Sequence, residues 1–143
     1  MAYLINNGTL ICEKNVIFYG RTGYQGGCCY TPSANSRFII KGNLKFEDSF
    51  SSANITQGTI EFAGTEQQEI FLSKAYNIDV TNPKGIKYLT SLNLYGKYNL
   101  NGNPLDLNGF YTYLCGDSEL DSSDFQEVRI NASYTLDSNI KGN

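Results

Sequence analysis

Apolar and other side chains alternate over two or three steps and then stop at a glycine, and this unit recurs along the chain. It appears as Val16-Ile-Phe18-Tyr-Gly20, Phe38-Ile-Ile40-Lys-Gly42 and Ile60-Glu-Phe62-Ala-Gly64, so that the interval from the first glycine to the second equals that from the second to the third. It then tightens to Leu92-Asn-Leu94-Tyr-Gly96, Tyr98-Asn-Leu100-Asn-Gly102, Leu105-Asp-Leu107-Asn-Gly109 and Thr112-Tyr-Leu114-Cys-Gly116, where successive glycines lie about a third as far apart. Alternation of period two is the mark of a strand with one buried face, and the Gly or Asn that follows permits a corner. Each unit therefore predicts a strand and a turn.

A unit of about seven residues is too short for a helix, and three of them give about 21 residues, close to the wider glycine interval. The match predicts an all-β chain folded as a right-handed parallel β-solenoid (β-helix), with about three short strands per coil. Ile78-Asp-Val80, Val128-Arg-Ile130 and Tyr134-Thr-Leu136 continue the alternation without the glycine. Roughly six to seven coils stacked about 4.8 Å apart give a rod ~30 Å tall. Stacked coils set like residues above like, so corner asparagines such as Asn43, Asn101, Asn103 and Asn108 are expected to form side-chain amide ladders. The alternative is an antiparallel β-sandwich, which uses the same alternation and the same turn residues. A polar Gly- and Cys-containing stretch at about 21–36 interrupts the repeat and reads as an insertion loop.

Composition agrees with many strands and tight corners: 14 Gly, 3 Pro, 11 Tyr and 8 Phe in 143 residues, a length that fits one domain, 1–143. The net charge of -3 comes with no Lys/Arg block to track a phosphate backbone, so nucleic acid is not an expected partner. No apolar run approaches the ~20 residues of a membrane span, and Met1 to Leu10 has neither the basic nor the apolar region of a signal peptide. Cys12, Cys28, Cys29 and Cys115 do not have zinc spacing, and the chain has no His. They read as buried thiols or as partners in a disulfide, with Cys28 and Cys29 either bridged to each other or paired with Cys12 or Cys115. Asn7-Gly-Thr, Asn54-Ile-Thr and Asn131-Ala-Ser match the glycosylation acceptor pattern, which Asn-rich sequences also produce by chance.

Gly58-Thr-Ile-Glu-Phe-Ala-Gly64, Gln67-Gln-Glu-Ile70, Tyr76-Asn-Ile-Asp-Val-Thr-Asn82, Gly85-Ile-Lys-Tyr-Leu89 and the run from Leu92 to Gly109 follow one another in order. Together they resemble β-solenoid repeats of large bacterial cell-surface (adhesin-like) proteins. Those repeats read as a glycine-led strand, a Gln-x-Ile step, an aromatic-Asn-Ile-x-Val-x-Asn strand and a Leu-x-Leu-x-Gly series. The resemblance covers about a third of the chain, and the first 50 residues depart from it. It implies a secreted, extracellular or cell-surface solenoid of structural or adhesive use.

Without His, the Ser-His, Cys-His and His-metal arrangements are excluded, and only carboxylate chemistry remains. Asp117, Glu119 and Asp121 alternate as hard oxygen ligands for calcium would, but a calcium loop's sixth-position glycine and terminal Glu are missing, so a solvated acidic loop is the first reading and no cofactor is expected. Polysaccharide lyase-like β-helices set carboxylates and Arg or Lys along one face. Here Arg21, Arg37 and Arg129 are not expected to fall in register with an acidic pair, and the chain is read as no enzyme. Gly20-Arg-Thr-Gly-Tyr-Gln-Gly-Gly27 is glycine-rich, yet no helix pattern follows to make a phosphate cradle. Tyr19, Tyr95 and Tyr113 are expected to point outward, where rings on a flat β face can stack on sugars.

The expected function is a non-enzymatic structural or adhesive segment of a secreted bacterial surface protein; a carbohydrate-binding β domain is the alternative, and a lyase-like β-helix a third. No cap is legible at either end. Exposed strand edges are therefore expected to meet neighbouring repeats or another copy.

Overall fold

The computed structural model describes residues 4–19, 30–47, 55–121 and 140–141. Every regular element among them is a short strand. β1 (Leu4–Asn6) precedes β2 (Thr9–Cys12) and β3 (Val16–Tyr19), and β4 (Tyr30–Pro32) leads into β5 (Arg37–Ile40) and β6 (Leu44–Glu47). Three strands per turn then follow without interruption. They are β7 (Thr59–Phe62), β8 (Gln68–Phe71) and β9 (Lys74–Ala75), then β10 (Asn77–Val80), β11 (Ile86–Tyr88) and β12 (Leu92–Leu94), then β13 (Lys97–Asn99), β14 (Leu105–Asp106) and β15 (Thr112–Leu114). β16 (Glu119–Asp121) and β17 (Ile140–Lys141) complete the described set.

The first sheet runs β17-β16-β13-β10-β7-β5-β2, the second β14-β11-β8-β6-β3 and the third β15-β12-β9, with β1 and β4 as a separate pair. Every pairing is parallel, so the chain is a parallel β-solenoid and not an antiparallel sandwich. Coils are numbered from the first-sheet strand, with β2 opening coil 1.

Leu10, Phe38, Ile60, Ile78, Tyr98, Leu120 and Ile140 are successive register partners on the first sheet. The coils differ in length: the step from Leu10 to Phe38 is the longest and that from Ile60 to Ile78 the shortest. The glycines of the tightened series close one strand on each face in turn, and Leu94 pairs with Leu114 one full coil later. Gly42 and Gly64 also mark one coil. Gly20 does not, because Val16–Phe18 lies on the second sheet and pairs with Leu44–Phe46. Of the stretch expected as an insertion at about 21–36, residues 30–32 form β4, in register with β1, and residues 21–29 lie outside the described residues.

Inward positions carry the cohesion. Ile40, Phe62 and Val80 stack above Cys12 in one file and are fully buried, each worth about 1.5–3 kcal/mol of transfer free energy. Phe18 stacks on its register partner Phe46 at 4.6 Å and meets Tyr30 at 5.9 Å, so aromatic rings fill the interior of coils 1 and 2. In coil 1, Leu10, Cys12, Val16 and Phe18 are only partly buried, whereas their partners Phe38, Ile40, Leu44 and Phe46 are buried. No helix among the described residues is long and apolar enough to cross a membrane.

Corner amides bond along the rod, mainly to main chain rather than to one another. Asn43 donates its N–H to Asn15 Oδ1, and Glu69 donates its N–H to Asn43 Oδ1. Asn101 and Asn103 both donate Nδ2 to the Val80 carbonyl one coil back, and Asn108 donates to the Tyr88 carbonyl. The expected amide-to-amide ladder is thus a set of rungs between side-chain amides and main-chain N–H or C=O groups of the neighbouring coil.

Two tyrosines are buried among the aliphatic files. Tyr88 and Tyr98 share a hydrogen bond of 2.7 Å, and Tyr88 also meets Thr112 Oγ1 at 3.0 Å. Burial pushes both phenols above their ordinary value of about 10. A phenol whose folded pKa is raised stabilises the fold fully below about pH 10, and that contribution is lost as the pH climbs toward the folded value. The melting temperature is therefore expected to be flat up to about pH 9.5 and to fall steeply above about pH 10. In Tyr88→Phe/Tyr98→Phe the fall should be shallower, and an unchanged slope would rule the pair out as its source.

Candidate functional site

Outward positions of the first sheet bring together residues distant in sequence. Ile39 pairs with Glu61 and Glu61 with Asp79, while Arg37 pairs with Thr59 in the adjacent column. From there Arg37 Nε donates to Glu61 Oε2 at 2.6 Å and Nη2 to Asp79 Oδ2 at 2.5 Å. Glu61 Oε1 accepts from Thr81 Oγ1 at 2.9 Å, and Asp79 Oδ1 accepts from Asn101 Nδ2 at 2.7 Å. The hydrogen bond to Glu61, ahead of the other contacts, holds the guanidinium above its already high pKa.

As expected, Arg37 is not in register with an acidic pair, but its side chain reaches across to one in the next column, a contact the sequence reading lacked. The coil from Ile60 to Ile78 is shorter than the one before it, and the change in length shifts the register by more than a fixed period allows. All four carboxylate oxygens accept a hydrogen bond, so the group ties coils 2 to 5 together. Arg37→Met is expected to lose about 1–3 kcal/mol, because it leaves two carboxylates one strand apart without their cation. Adding Glu61→Gln and Asp79→Asn should recover part of the loss in urea unfolding. No recovery would mean that packing of the arginine stem, not charge, is what was removed.

The third sheet gathers aromatic rings. Asn93 pairs with Lys74 on one side and with Tyr113 on the other. Ala75 pairs with Leu94, so Tyr76 and Tyr95 leave the sheet at the same place on consecutive coils. Lys74 Nζ lies 4.8 Å from the Tyr95 ring centroid, and the Tyr111 and Tyr113 rings are 6.1 Å apart. Tyr76, Tyr95 and Tyr111 are exposed, at 36%, 38% and 39%, and Tyr113 is half-buried. Asn93 Nδ2 donates to the Ser73 carbonyl, which sets its amide among these rings.

Of the expected aromatic set, Tyr95 and Tyr113 come together. Tyr19 does not join them, since β3 belongs to the second sheet; its side chain lies outside the described residues. Tyr76 and Tyr111 are additions that the sequence reading lacked. Tyr111-Thr-Tyr113 carries the period-two signal for one of them, whereas Tyr76 falls at a corner of variable length.

Asp117 is exposed at a turn, and Glu119 is paired with Lys97 at 3.0 Å across adjacent coils. The Asp121 side chain lies outside the described residues, and among these no group of three or more metal-ligating side chains is gathered. Cys12 and Cys115 are free thiols. They stand about four coil steps apart, about 19 Å, too far to be bridged. Burial pushes the Cys12 thiol up, which leaves little reactive thiolate. Cys28, Cys29 and the Gly20–Gly27 stretch lie outside the described residues, as do Arg21, Arg129, Asn54 and Asn131. No protein-family model, curated protein or solved structure significantly matches the chain.

Proposed function

We propose that the chain is a non-enzymatic structural or adhesive segment of a secreted bacterial cell-surface protein. The observation that carries this reading is the unbroken parallel ladder of seven strands on the first sheet, with its files of buried side chains. Such a body resists bending because each coil is hydrogen-bonded and packed to the next, which suits a spacer or a presenting rod. The adhesin-like repeat resemblance adds the surface location. The edge strand β2, with the partly buried Leu10 and Cys12, suits contact with a neighbouring repeat or another copy.

The test is protease shaving of intact cells that carry the native gene. Peptides of this chain should be released before lysis. Their recovery from the cytosolic fraction alone would overturn the reading. The exposed tyrosines of the third sheet favour the adhesive form over a plain spacer.

A further inference from the structure

We infer that the outer face of the third sheet is a binding platform for a neutral, linear polysaccharide, an inference that rests on the adhesive form of the proposed function. Three observations carry it. First, the exposed rings are gathered: Tyr76, Tyr95, Tyr111 and Tyr113 occupy three consecutive coils of one face, although they are distant in sequence. Tyr76 and Tyr95 follow one another along the rod axis, with Tyr113 and Tyr111 beside them on the next coil, and aromatic rings on a sheet face can stack on the C–H faces of successive sugars in a chain. Tyr95 and Tyr113 lie one coil and two residues apart, about 8 Å between their Cα atoms.

Second, hydrogen-bonding groups stand among the rings. Asn93 sits between Lys74 and Tyr113 in register, with its amide on the solvent side, and Ser91 Oγ accepts from the Tyr111 N–H. Rings for the sugar faces and amides or hydroxyls for the sugar hydroxyls are the two elements that orient a saccharide. Third, charge and size exclude other occupants. Among the described residues named here, Lys74 is the charged one, and its ammonium faces the Tyr95 ring, so these residues gather no cation cluster for an acidic polymer. Three coils by five residues span roughly 15 Å by 16 Å. That is well below the ~800 Å² per partner of a stable protein interface, and it matches a few sugar rings.

The probe is affinity electrophoresis of the purified chain through gels containing hydroxyethylcellulose, xylan or galactan, with polygalacturonate as the acidic control. The chain has no Trp, so tyrosine fluorescence reports the same binding in solution. Retardation by at least one neutral polysaccharide is expected. Tyr95→Ala and Tyr113→Ala should each weaken it about 3- to 10-fold, while Tyr95→Phe, which keeps the ring, should stay close to the parent. Tyr111→Ala, at an exposed site, serves as a second ring deletion should Tyr113→Ala lower the melting temperature. Several outcomes would overturn the inference: no retardation by any neutral glycan, retardation by polygalacturonate alone, retardation that survives both ring deletions, or a Tyr95-dependent protein ligand in place of a glycan. Surface exposure without glycan binding would remove this inference and leave the proposed function standing, and glycan binding by a cytosolic chain would do the reverse.

Discussion

Asn82→Asp is expected to remove about 3–5 kcal/mol of stability, a large part of the roughly 5–15 kcal/mol that holds a domain folded. Asn82 is fully buried at the corner between the first and second sheets. Its Nδ2 donates to the Glu66 carbonyl at 2.6 Å and to Gln68 Oε1 at 3.0 Å, while Oδ1 accepts from the Lys84 N–H at 2.8 Å. Gln68 is buried as well. Its Oε1 also accepts from the Gly64 N–H at 2.8 Å, and its Nε2 donates to the carbonyls of Ile40 and Gly42. Both N–H bonds of each amide are used, and the pair joins coils 2, 3 and 4.

A carboxylate at position 82 would face two oxygen acceptors with nothing to donate. Turning the Gln68 amide over offers no relief, because its oxygen would then meet the carbonyls of Ile40 and Gly42. The buried charge also gives the variant a signature. Its folded pKa must lie above the ordinary Asp value of about 3.9, so the deficit is full at neutral pH and shrinks as the pH falls through that folded value. Asn82→Leu should lose about 2–3 kcal/mol with no such pH dependence. Urea midpoints at pH 7 and pH 4 would separate the two. An Asn82→Asp chain as stable as the parent at pH 7 would show that the corner opens to water.

That amide pair marks the boundary of what was legible in the sequence. Strand, corner and stacking follow from alternation and glycine spacing, because the inward side chain at every second position is a local property. The Leu92 to Gly116 series predicts three strands per coil correctly, since its corners are nearly equal in length. Gln68 opens a strand as a polar residue, and nothing local distinguishes a buried amide from a solvated one. Its burial depends on where the corner of the next coil places Asn82. Arg37 has the same origin. A constant period of about 21 residues would set it over Gly58 and Asp79. A longer coil followed by a shorter one instead lets it reach Glu61 and Asp79 together. The tyrosine face is half visible, with Tyr95 and Tyr113 legible from alternation and Tyr76 hidden by the shortest corner, where it alone separates β9 from β10.

The same dependence on neighbouring coils decides which glycines are irreplaceable, and Gly85→Ala is expected to cost about 3 kcal/mol or more where Gly102→Ala costs about 1–2 kcal/mol. Both residues have a left-handed backbone, with φ of +72° and +71°. An L-residue there loses roughly 1–2 kcal/mol through contact of its own Cβ with the backbone. At Gly102 nothing lies within 4 Å of an added Cβ, so that strain is the whole penalty. At Gly85 the Cβ would fall inside the van der Waals surface of the Pro104 carbonyl oxygen, a main-chain atom that cannot rotate away. That carbonyl accepts the Ile86 N–H at 3.1 Å, and Ile86 pairs with Leu105, so relief of the clash must push β14 from β11. The turn itself is well made, with the Asn82 carbonyl accepting from the Gly85 N–H at 2.9 Å and Pro83 favoured at its second position, which leaves the next coil as the source of the difference. Urea midpoints give the two losses, and amide exchange at Ile86 and Leu105 reports whether the ladder opens there. Equal losses in the two variants would show that backbone strain, not the approach of the next coil, sets the requirement for glycine.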